Sequence, residues 1–197
     1  GASSLLSGIY GGMVAGPNAV DYVKHLKKHA EDLSQDIFDA RVNEEQAKWD
    51  SIMKMDGTEN AYLLHKELGE LMTATMTVVR FNDQLEETYK KLGEFQKRWE
   101  NININDTQKW SNQGAHFTRQ LKNMLYLAKV MTKGALLRNE SRGAHYKPDF
   151  PQRDDENFLK TTMAKFDPAT GEPIITYQEV DVSLIPPRKR DYSAKGD

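Results

Sequence analysis

The sequence contains no cysteine among its 197 residues. This absence excludes disulfide bridges, thiolate nucleophiles, and zinc or iron–sulfur centres held by cysteine, so electron transfer involving this chain needs a cofactor or partner from elsewhere. The sequence also lacks an excess of either charge, since 27 Lys and Arg face 29 Asp and Glu for a net charge of -2. Nucleic-acid-binding proteins normally carry a basic excess, so we expect no nucleic-acid partner.

A long hydrophobic run is also missing, and the chain opens instead with small residues. Eight of the first sixteen residues are Gly or Ser, and the first charged residue is Asp21. This opening is too short and too polar to span a bilayer, and it lacks the positive flank of a signal peptide. We interpret it as a buried small-residue helix that lets a backbone or a flat ligand approach closely. We also expect that sequence upstream of Gly1 has been removed.

Apolar residues that recur every three or four positions predict five successive helices. Pro17 suits the first turn of one helix, which the pattern extends to about residue 33. Thr58 and Asn82 are the predicted N-caps of the third and fourth helices, and the fifth ends near Asn139. The fourth has the clearest period and indicates a helix packed in a bundle.

The composition changes after the fifth helix. Residues 158–166 and 174–182 are predicted strands joined by a turn-forming segment, and residues 186–192 are a predicted extended arm. The predicted fold class is therefore mainly α: an antiparallel helical bundle resembling a spectrin repeat, with a C-terminal β-hairpin and an extended tail.

Histidines and charged loops are the candidates for chemistry. His25 and His29 stand four apart on one helix, but three neighbouring lysines oppose cation binding, so we predict a solvated face and no metal site. The loop 140–149 gathers Arg142 and His145 around a glycine, which a plain bundle does not need. Two interpretations stay open for this loop: a C-terminal glycine cap with surface charges, or a functional element.

Several segments resemble one known family. Gly1–Leu6 and the Gly-rich helix after it resemble the segment that follows the substrate-binding arginine in the succinate dehydrogenase and fumarate reductase flavoprotein family. Glu140–Lys160 and Pro187–Tyr192 resemble the C-terminal domain of the same family. The resemblance covers essentially the whole chain, and Asp56–Ala61 is most similar to the Gram-positive bacterial members. Ser3 departs from the family, which commonly has Asn at this position.

The resemblance implies a parent oxidoreductase that oxidises succinate to fumarate. Such a parent passes a hydride to FAD and electrons through an iron–sulfur subunit to a membrane anchor and quinone, at the cytoplasmic face of the bacterial membrane. By the same resemblance, Ser4 and Leu5 present backbone amides to the flavin, and Ala2 lies against the dicarboxylate substrate. Arg142 and His145 are expected to make structural or interdomain contacts.

The resemblance also divides the chain. Residues 1–16 correspond to a remnant of the flavin-binding domain, residues 17–139 to the helical bundle, and residues 140–197 to the loop, hairpin and C-terminal arm. The dinucleotide-binding turn and the family's catalytic residues are not in this sequence, so the missing flavin-binding and capping domains are the expected partners. We expect the isolated chain to have no dehydrogenase activity and no more than trace affinity for FAD.

Two other functions remain open at this point. A fumarate reductase or L-aspartate oxidase flavoprotein would share the opening and the loop. An independent helical interaction module without a redox role would form a stable domain with no exposed apolar opening. A fragment of a flavoprotein would instead leave residues 1–16 disordered, misplaced or covered in an oligomer.

Overall fold

The computed structural model describes residues 2–167 and 169–188, and the chain divides into two compact units after residue 48. Within these residues lie six α-helices and one two-stranded sheet, which confirms the mainly helical prediction. They are α1 (Ala2–Lys24), α2 (Gln35–Met53), α3 (Ala61–Thr75), α4 (Asn82–Trp99), α5 (Gln113–Leu137), α6 (Asp155–Phe158), β1 (Lys160–Phe166) and β2 (Pro173–Glu179). None of the described helices is long and apolar enough to cross a membrane.

The first unit contains α1 and most of α2, and its described side chains are nearly all exposed. The prediction that a helix begins at Pro17 is wrong, because α1 starts at Ala2 and runs through Pro17 to Lys24. A proline inside a helix removes one N–H donor and crowds the preceding turn. In that turn, the side-chain amide of Asn18 donates to the carbonyl of Val14 at 2.8 Å.

The second unit has its core between α3, α4 and α5, which pack against one another in pairs. Their buried residues are spaced three and four apart, so each set forms one stripe on its helix. These residues are Ala61, Leu64 and Leu68 on α3, Leu85, Thr88, Leu92, Phe95 and Trp99 on α4, and Ala115, Thr118, Leu121, Leu125, Ala128, Thr132 and Ala135 on α5. Lys129 on α5 is buried as well, next to this stripe.

Polar contacts between helix ends show that the three helices are antiparallel. The Thr88 hydroxyl near the start of α4 donates to the hydroxyl of Thr75 at the end of α3, at 2.9 Å. The indole N–H of Trp99, at the end of α4, donates to the carbonyl of Thr118 near the start of α5, at 2.7 Å. The predicted bundle is therefore confirmed for α3 to α5.

The helix caps differ from the sequence prediction. Asn60, and not Thr58, caps α3: its side-chain oxygen accepts from two N–H groups of the first turn at 2.9 and 3.1 Å. Thr58 was the wrong cap because its hydroxyl accepts instead from the side chain of Asn101 at 2.9 Å. Asn82 is the first residue of α4 and not its cap, and its amide donates to Asn139 at 3.1 Å.

A close backbone contact joins the segment before α3 to the end of α4. Gly57 donates its N–H to the carbonyl of Ile102 at 3.2 Å, and Glu59 donates to the carbonyl of Asn101 at 2.9 Å. A Cβ atom at Gly57 would lie 2.0 Å from the Asn101 carbonyl oxygen. Position 57 therefore requires glycine because two backbone segments meet there.

The predicted hairpin is present, with Lys160 opposite Glu179 and Phe166 opposite Pro173. Both strands contact α5. The strands are shorter than predicted, because Phe158 belongs to α6 and β2 ends at Glu179. Of the predicted arm, residues 189–192 lie outside the described part of the chain.

The turn of the hairpin is fixed to the helices by polar contacts. Glu172 accepts hydrogen bonds from the hydroxyl of Tyr89 on α4 and from the ammonium of Lys129 on α5. Lys133, one turn further along α5, donates to the carbonyl of Pro173 at 2.7 Å. Burial raises the pKa of Tyr89, and its hydrogen bond to Glu172 adds to the shift, so the phenol stays a donor.

Candidate functional site

The first turn of α1 carries two of the residues to which the resemblance assigns cofactor contact. Ser4 and Leu5 both lie in this turn, and the Leu5 side chain is 77% exposed. Ala2 begins the helix, and its side chain lies outside the described part of the structure. The N-terminal end of a helix has a partial positive charge from the aligned peptide dipoles. This end of α1 therefore has the electrostatic character that an anionic group favours.

The rest of the opening presents apolar and small residues to solvent. Its exposed large side chains are Leu5, Leu6, Ile9, Tyr10, Met13 and Val14. Gly8, Gly12 and Gly16 recur every four residues, and a Cβ at any of them would meet nothing within 4 Å. Each such glycine costs an exposed helix about 0.5–1 kcal/mol relative to alanine. Nothing in the described structure requires glycine at these three positions.

The loop after α5 is a tight hairpin turn. Arg142 and His145 exchange backbone hydrogen bonds of 2.8 and 3.0 Å, and Gly143 between them has a φ of 60°. A positive φ at the first central residue is typical of a type II′ turn, which favours glycine there. The glycine-cap interpretation of this loop is wrong, because α5 ends at Leu137 with Arg138 as its C-cap.

Arg142 belongs to an ion-pair network around a carboxylate that is completely buried. Glu140, with no exposed surface, accepts two hydrogen bonds from Arg142 at 2.8 and 3.0 Å. It also accepts from Arg138 at 2.6 Å and from the backbone N–H of Asp154 at 2.9 Å. Arg142 reaches Asp155 as well, at 2.7 Å. The network thus connects the end of α5, the loop and α6.

The electrostatics keep Glu140 charged. Burial alone would raise its pKa, but the hydrogen bonds from Arg142, from the Asp154 backbone and from Arg138 outweigh burial, so the pKa of Glu140 is lowered. Hydrogen bonds to Glu140 and to Asp155 outweigh burial and raise the pKa of Arg142. Arg138 also donates to the carbonyls of Phe158 and Lys160, at 2.9 and 2.7 Å. A single buried carboxylate therefore organises the start of β1 as well as the loop.

His145 is oriented by two partners that fix its tautomer. Its Nε2 lies 2.9 Å from the carbonyl oxygen of Arg138, which can only accept, so Nε2 carries the proton. Its Nδ1 therefore accepts from the guanidinium of Arg80, 2.7 Å away. Burial lowers the pKa of His145, and the charges of Arg80, Lys147 and Arg138 act in the same direction. His145 is therefore neutral at pH 7.

Two further groups near His145 were missed at the sequence level. Lys147 is 1% exposed, and its ammonium donates to the Leu136 carbonyl and to the side chain of Asn139, both at 3.0 Å. Burial lowers its pKa to about 8, and the charge of Arg80 adds to the effect. Arg80 lies 65 positions before His145, and no local pattern connects them. Lys147 is followed by Pro148, and nothing in this pair of residues indicates from the sequence that the lysine is buried.

The other histidines form no metal site. Among residues 2–167 and 169–188, no group of three or more His, Asp or Glu side chains could hold a metal ion. His25 lies just after the end of α1 and contacts the carbonyl oxygen of Asp21 in that helix at 2.7 Å, so the prediction that His25 and His29 stand on one helix is wrong. His65 packs edge-on against the ring of Phe117, and His116 contacts Gln120 at 3.0 Å.

The first unit presents an exposed apolar opening, and the second is a helical bundle with a charged loop. Comparison with known proteins gives the family of the chain. Residues 65–192 match the family described as the fumarate reductase flavoprotein C-terminal domain. The chain belongs to this family.

Individual relatives agree with this assignment. The chain is 66% identical to the succinate dehydrogenase flavoprotein subunit of Bacillus subtilis, over 99% of this chain and 33% of the relative. It is 33% identical to the fumarate reductase flavoprotein subunit of Helicobacter pylori, over 100% of this chain and 28% of the relative. The chain thus spans about a third of the length of the curated relatives it matches.

Solved structures share the fold. Escherichia coli quinol fumarate reductase superposes with a TM-score of 0.76 and 31% identity, covering 80% of this chain and 27% of that chain. Mycobacterium smegmatis Sdh1 in complex with UQ1 superposes with a TM-score of 0.69 and 26% identity, and the match covers 85% of this chain and 27% of that chain.

Proposed function

We propose that this chain is the C-terminal helical part of an FAD-containing subunit that oxidises succinate to fumarate. The observation that carries the proposal is the 66% identity to the Bacillus subtilis succinate dehydrogenase subunit along almost the entire chain. Fumarate reductase subunits match at 33% identity or lower, so they support the alternative reaction less strongly. The predicted resemblance to Gram-positive members agrees with the organism of the more similar relative.

In this proposal, residues 1–16 close one side of the flavin site. Ser4 and Leu5 direct backbone N–H groups at the flavin, and Ala2 lies against the dicarboxylate. Reduced flavin carries negative charge, which a helix N-terminus stabilises by about 0.3–2 kcal/mol. Two observations support this role: the apolar side chains of the opening are exposed, and its glycines leave space for a close approach. An independent interaction module would not need such an exposed opening.

Arg142 and His145 have structural roles in this proposal. Arg142 forms ion pairs with Glu140 and Asp155, and His145 is held between Arg80 and the backbone of the α5 end. A group that shuttles protons needs a titrating partner near the substrate, whereas both residues are occupied by contacts within the domain. The helical bundle comprises residues 17–139. The loop, hairpin and arm, residues 140–197, brace this bundle.

The proposed partners are those of a membrane-associated complex. They comprise the flavin-binding and capping domains, an iron–sulfur subunit and a membrane anchor that passes electrons to quinone. We place the assembled protein at the cytoplasmic face of the bacterial membrane as a peripheral subunit. Two solved relatives support an electron-transfer complex, since one was solved in complex with UQ1 and another with menaquinol molecules.

A chimera tests the proposed function. This chain replaces the corresponding third of the Bacillus subtilis subunit, and the purified protein is measured for bound FAD and for dye reduction with succinate. We expect both to be retained. Gly12→Leu in the opening should remove FAD, whereas Gly69→Leu, on the open surface of α3, should not. A folded chimera without flavin, or one in which Gly12→Leu binds FAD normally, would contradict the proposal.

A further inference from the structure

A cavity of about 310 Å³ lies between α5, the β-hairpin and the segment after α3. We propose that this cavity binds a short-chain carboxylate, with the carboxyl group on Arg80 and the hydrocarbon chain against the apolar wall. The residues involved are outside the opening of α1, so this inference goes beyond the proposed function and does not depend on it.

Arg80 is a half-buried guanidinium whose partners are all neutral. It donates to the carbonyls of Thr77 and Met76 at 2.8 and 3.2 Å, and to Nδ1 of His145 at 2.7 Å. A guanidinium has five N–H donors, so two have no acceptor among the described residues. Burial lowers the pKa of Arg80, and no carboxylate of the described chain opposes the shift. Partial burial of a cation without a counter-charge has a desolvation cost, which a bound anion would offset.

Two further cationic side chains, Lys147 and Arg138, lie near Arg80. Lys147 is buried with two neutral acceptors, and the carboxylate that acts on it, Asp149, lies on the exposed loop. Arg138 also lines the cavity, but Glu140 already balances it at 2.6 Å. The cluster therefore holds positive charge that the described chain does not neutralise, at a place where the cavity gives access to a ligand.

Backbone hydrogen bonds hold Arg80 and His145 in position. The N–H of Arg80 donates to the carbonyl of Tyr146 at 2.9 Å, and the N–H of Tyr146 donates to the carbonyl of Val78 at 3.0 Å. The two loops therefore form a fixed pair, and the guanidinium does not have to be ordered when a ligand binds. Preorganisation of this kind reduces the entropic cost of binding.

The shape and lining of the cavity favour a carboxylate over a phosphate. Most of its wall is apolar, formed by Met76, Val130, Met131, Ala135, Ala164 and Ile175. The planar fork of an arginine matches a carboxylate with two parallel hydrogen bonds. A phosphate dianion would need more donors, but the N–H groups of Arg138 are occupied by Glu140, Thr162 and backbone carbonyls.

The test is a titration of the purified chain at pH 7 with propionate, butyrate and pentanoate, followed by NMR and calorimetry. We expect dissociation constants on the order of 1–10 mM, and affinity that rises up to about fourfold per added methylene as the apolar wall is covered. Butyramide, which has the same size but no charge, should bind at least about tenfold more weakly. Equal binding of butyrate and butyramide, or no binding of either, would overturn the proposal.

Variants locate the binding in this cavity. Arg80→Gln should weaken butyrate binding at least about tenfold, whereas Arg41→Gln, which removes the same charge from an exposed site on α2, should not change it. Gly134→Leu tests the site without altering Arg80, because position 134 lines the cavity and its Cβ would lie 3.7 Å from Thr162. It should block binding, and Gly69→Leu should not. Unchanged binding in Gly134→Leu would refute the site.

The same carboxylate chemistry could come from a free acid or from a glutamate side chain of a neighbouring polypeptide. A blocked glutamate, with its backbone amino and carboxyl groups as amides, distinguishes the two sources. Tighter binding of pentanoate than of the blocked glutamate supports a free acid, and the reverse supports a side chain. Both results retain the carboxylate site, and failure of both compounds to bind overturns it.

Discussion

Replacing Glu140 by glutamine tests the idea that one buried carboxylate organises the region after α5. The amide has nearly the same size as the carboxylate but no charge, and its NH₂ group would face guanidinium donors. Glu140 has no exposed surface, and the side chains of Arg138 and Arg142 are only 12% and 29% exposed. Removing one partner of a buried ion pair costs about 3–5 kcal/mol, because the remaining charges stay buried without compensation.

The lower end of that range suits this site, because Asp155 still pairs with Arg142. We therefore expect Glu140→Gln to lower the free energy of unfolding by about 3 kcal/mol at pH 7, and the melting temperature by on the order of 6–12 °C. The pKa of Glu140 is lowered in the folded state, so its contribution is complete above the ordinary value of 4.5 and is lost as pH falls through the folded value. The difference between the two proteins should therefore shrink in acid.

Urea unfolding followed by circular dichroism, at pH 7 and at pH values below 4.5, measures both effects. Glu44→Gln provides a matched control, since Glu44 pairs with Arg41 and Lys48 on an exposed helix face. This control should unfold like the unmodified chain. A loss of less than about 1 kcal/mol for Glu140→Gln, or a loss that does not depend on pH, would refute the reasoning.

Three further predictions follow from the structure. Burial lowers the pKa of Lys147 from 10.5 to about 8, so between these two pH values the unfolded chain binds more protons than the folded chain. This lysine therefore makes the free energy of unfolding rise with pH in that window, and Lys147→Met should flatten the rise in urea titrations. Gly57→Ala should destabilise the chain by at least about 2 kcal/mol through its clash with the Asn101 backbone, whereas Gly69→Ala in α3 should stabilise it by about 0.5–1 kcal/mol, and equal melting temperatures would contradict this. The isolated chain should show no succinate-dependent dye reduction and no more than trace FAD by absorbance, and a yellow, active preparation would disprove the assignment of residues 1–16 to an incomplete flavin site.

Helix periodicity identified much of the fold from the sequence. The three-and-four spacing of α4 predicted a packed helix, and the structure buries that stripe from Leu85 to Trp99. Local caps were less predictable, because a cap depends on which hydrogen bonds compete for the side chain. Thr58 has a cap-forming hydroxyl, but Asn101 uses it. Pro17 was taken as a helix start because proline is favoured in the first turn of a helix, but α1 includes it as an interior residue.

In the candidate sites too, the sequence revealed features set by neighbouring residues but not contacts between residues far apart in the chain. The sequence singled out Arg142 and His145, because several charged groups crowd around one glycine. It did not reveal Arg80, which reaches His145 across 65 positions, or the complete burial of Glu140. Such contacts depend on how two loops meet in space, which no short pattern records. The FAD and substrate contacts of Ala2, Ser4 and Leu5 rest on the family resemblance and stay predictions.

The β-hairpin is attached to α5 at both of its ends. Lys129 and Lys133 hold its turn, and Arg138 holds the beginning of β1 through the carbonyls of Phe158 and Lys160. An isolated two-stranded hairpin is marginally stable in water. Its amide protons should therefore exchange with deuterium at the rate set by the opening of α5, and a protease should cut the strands only when that helix has already come apart.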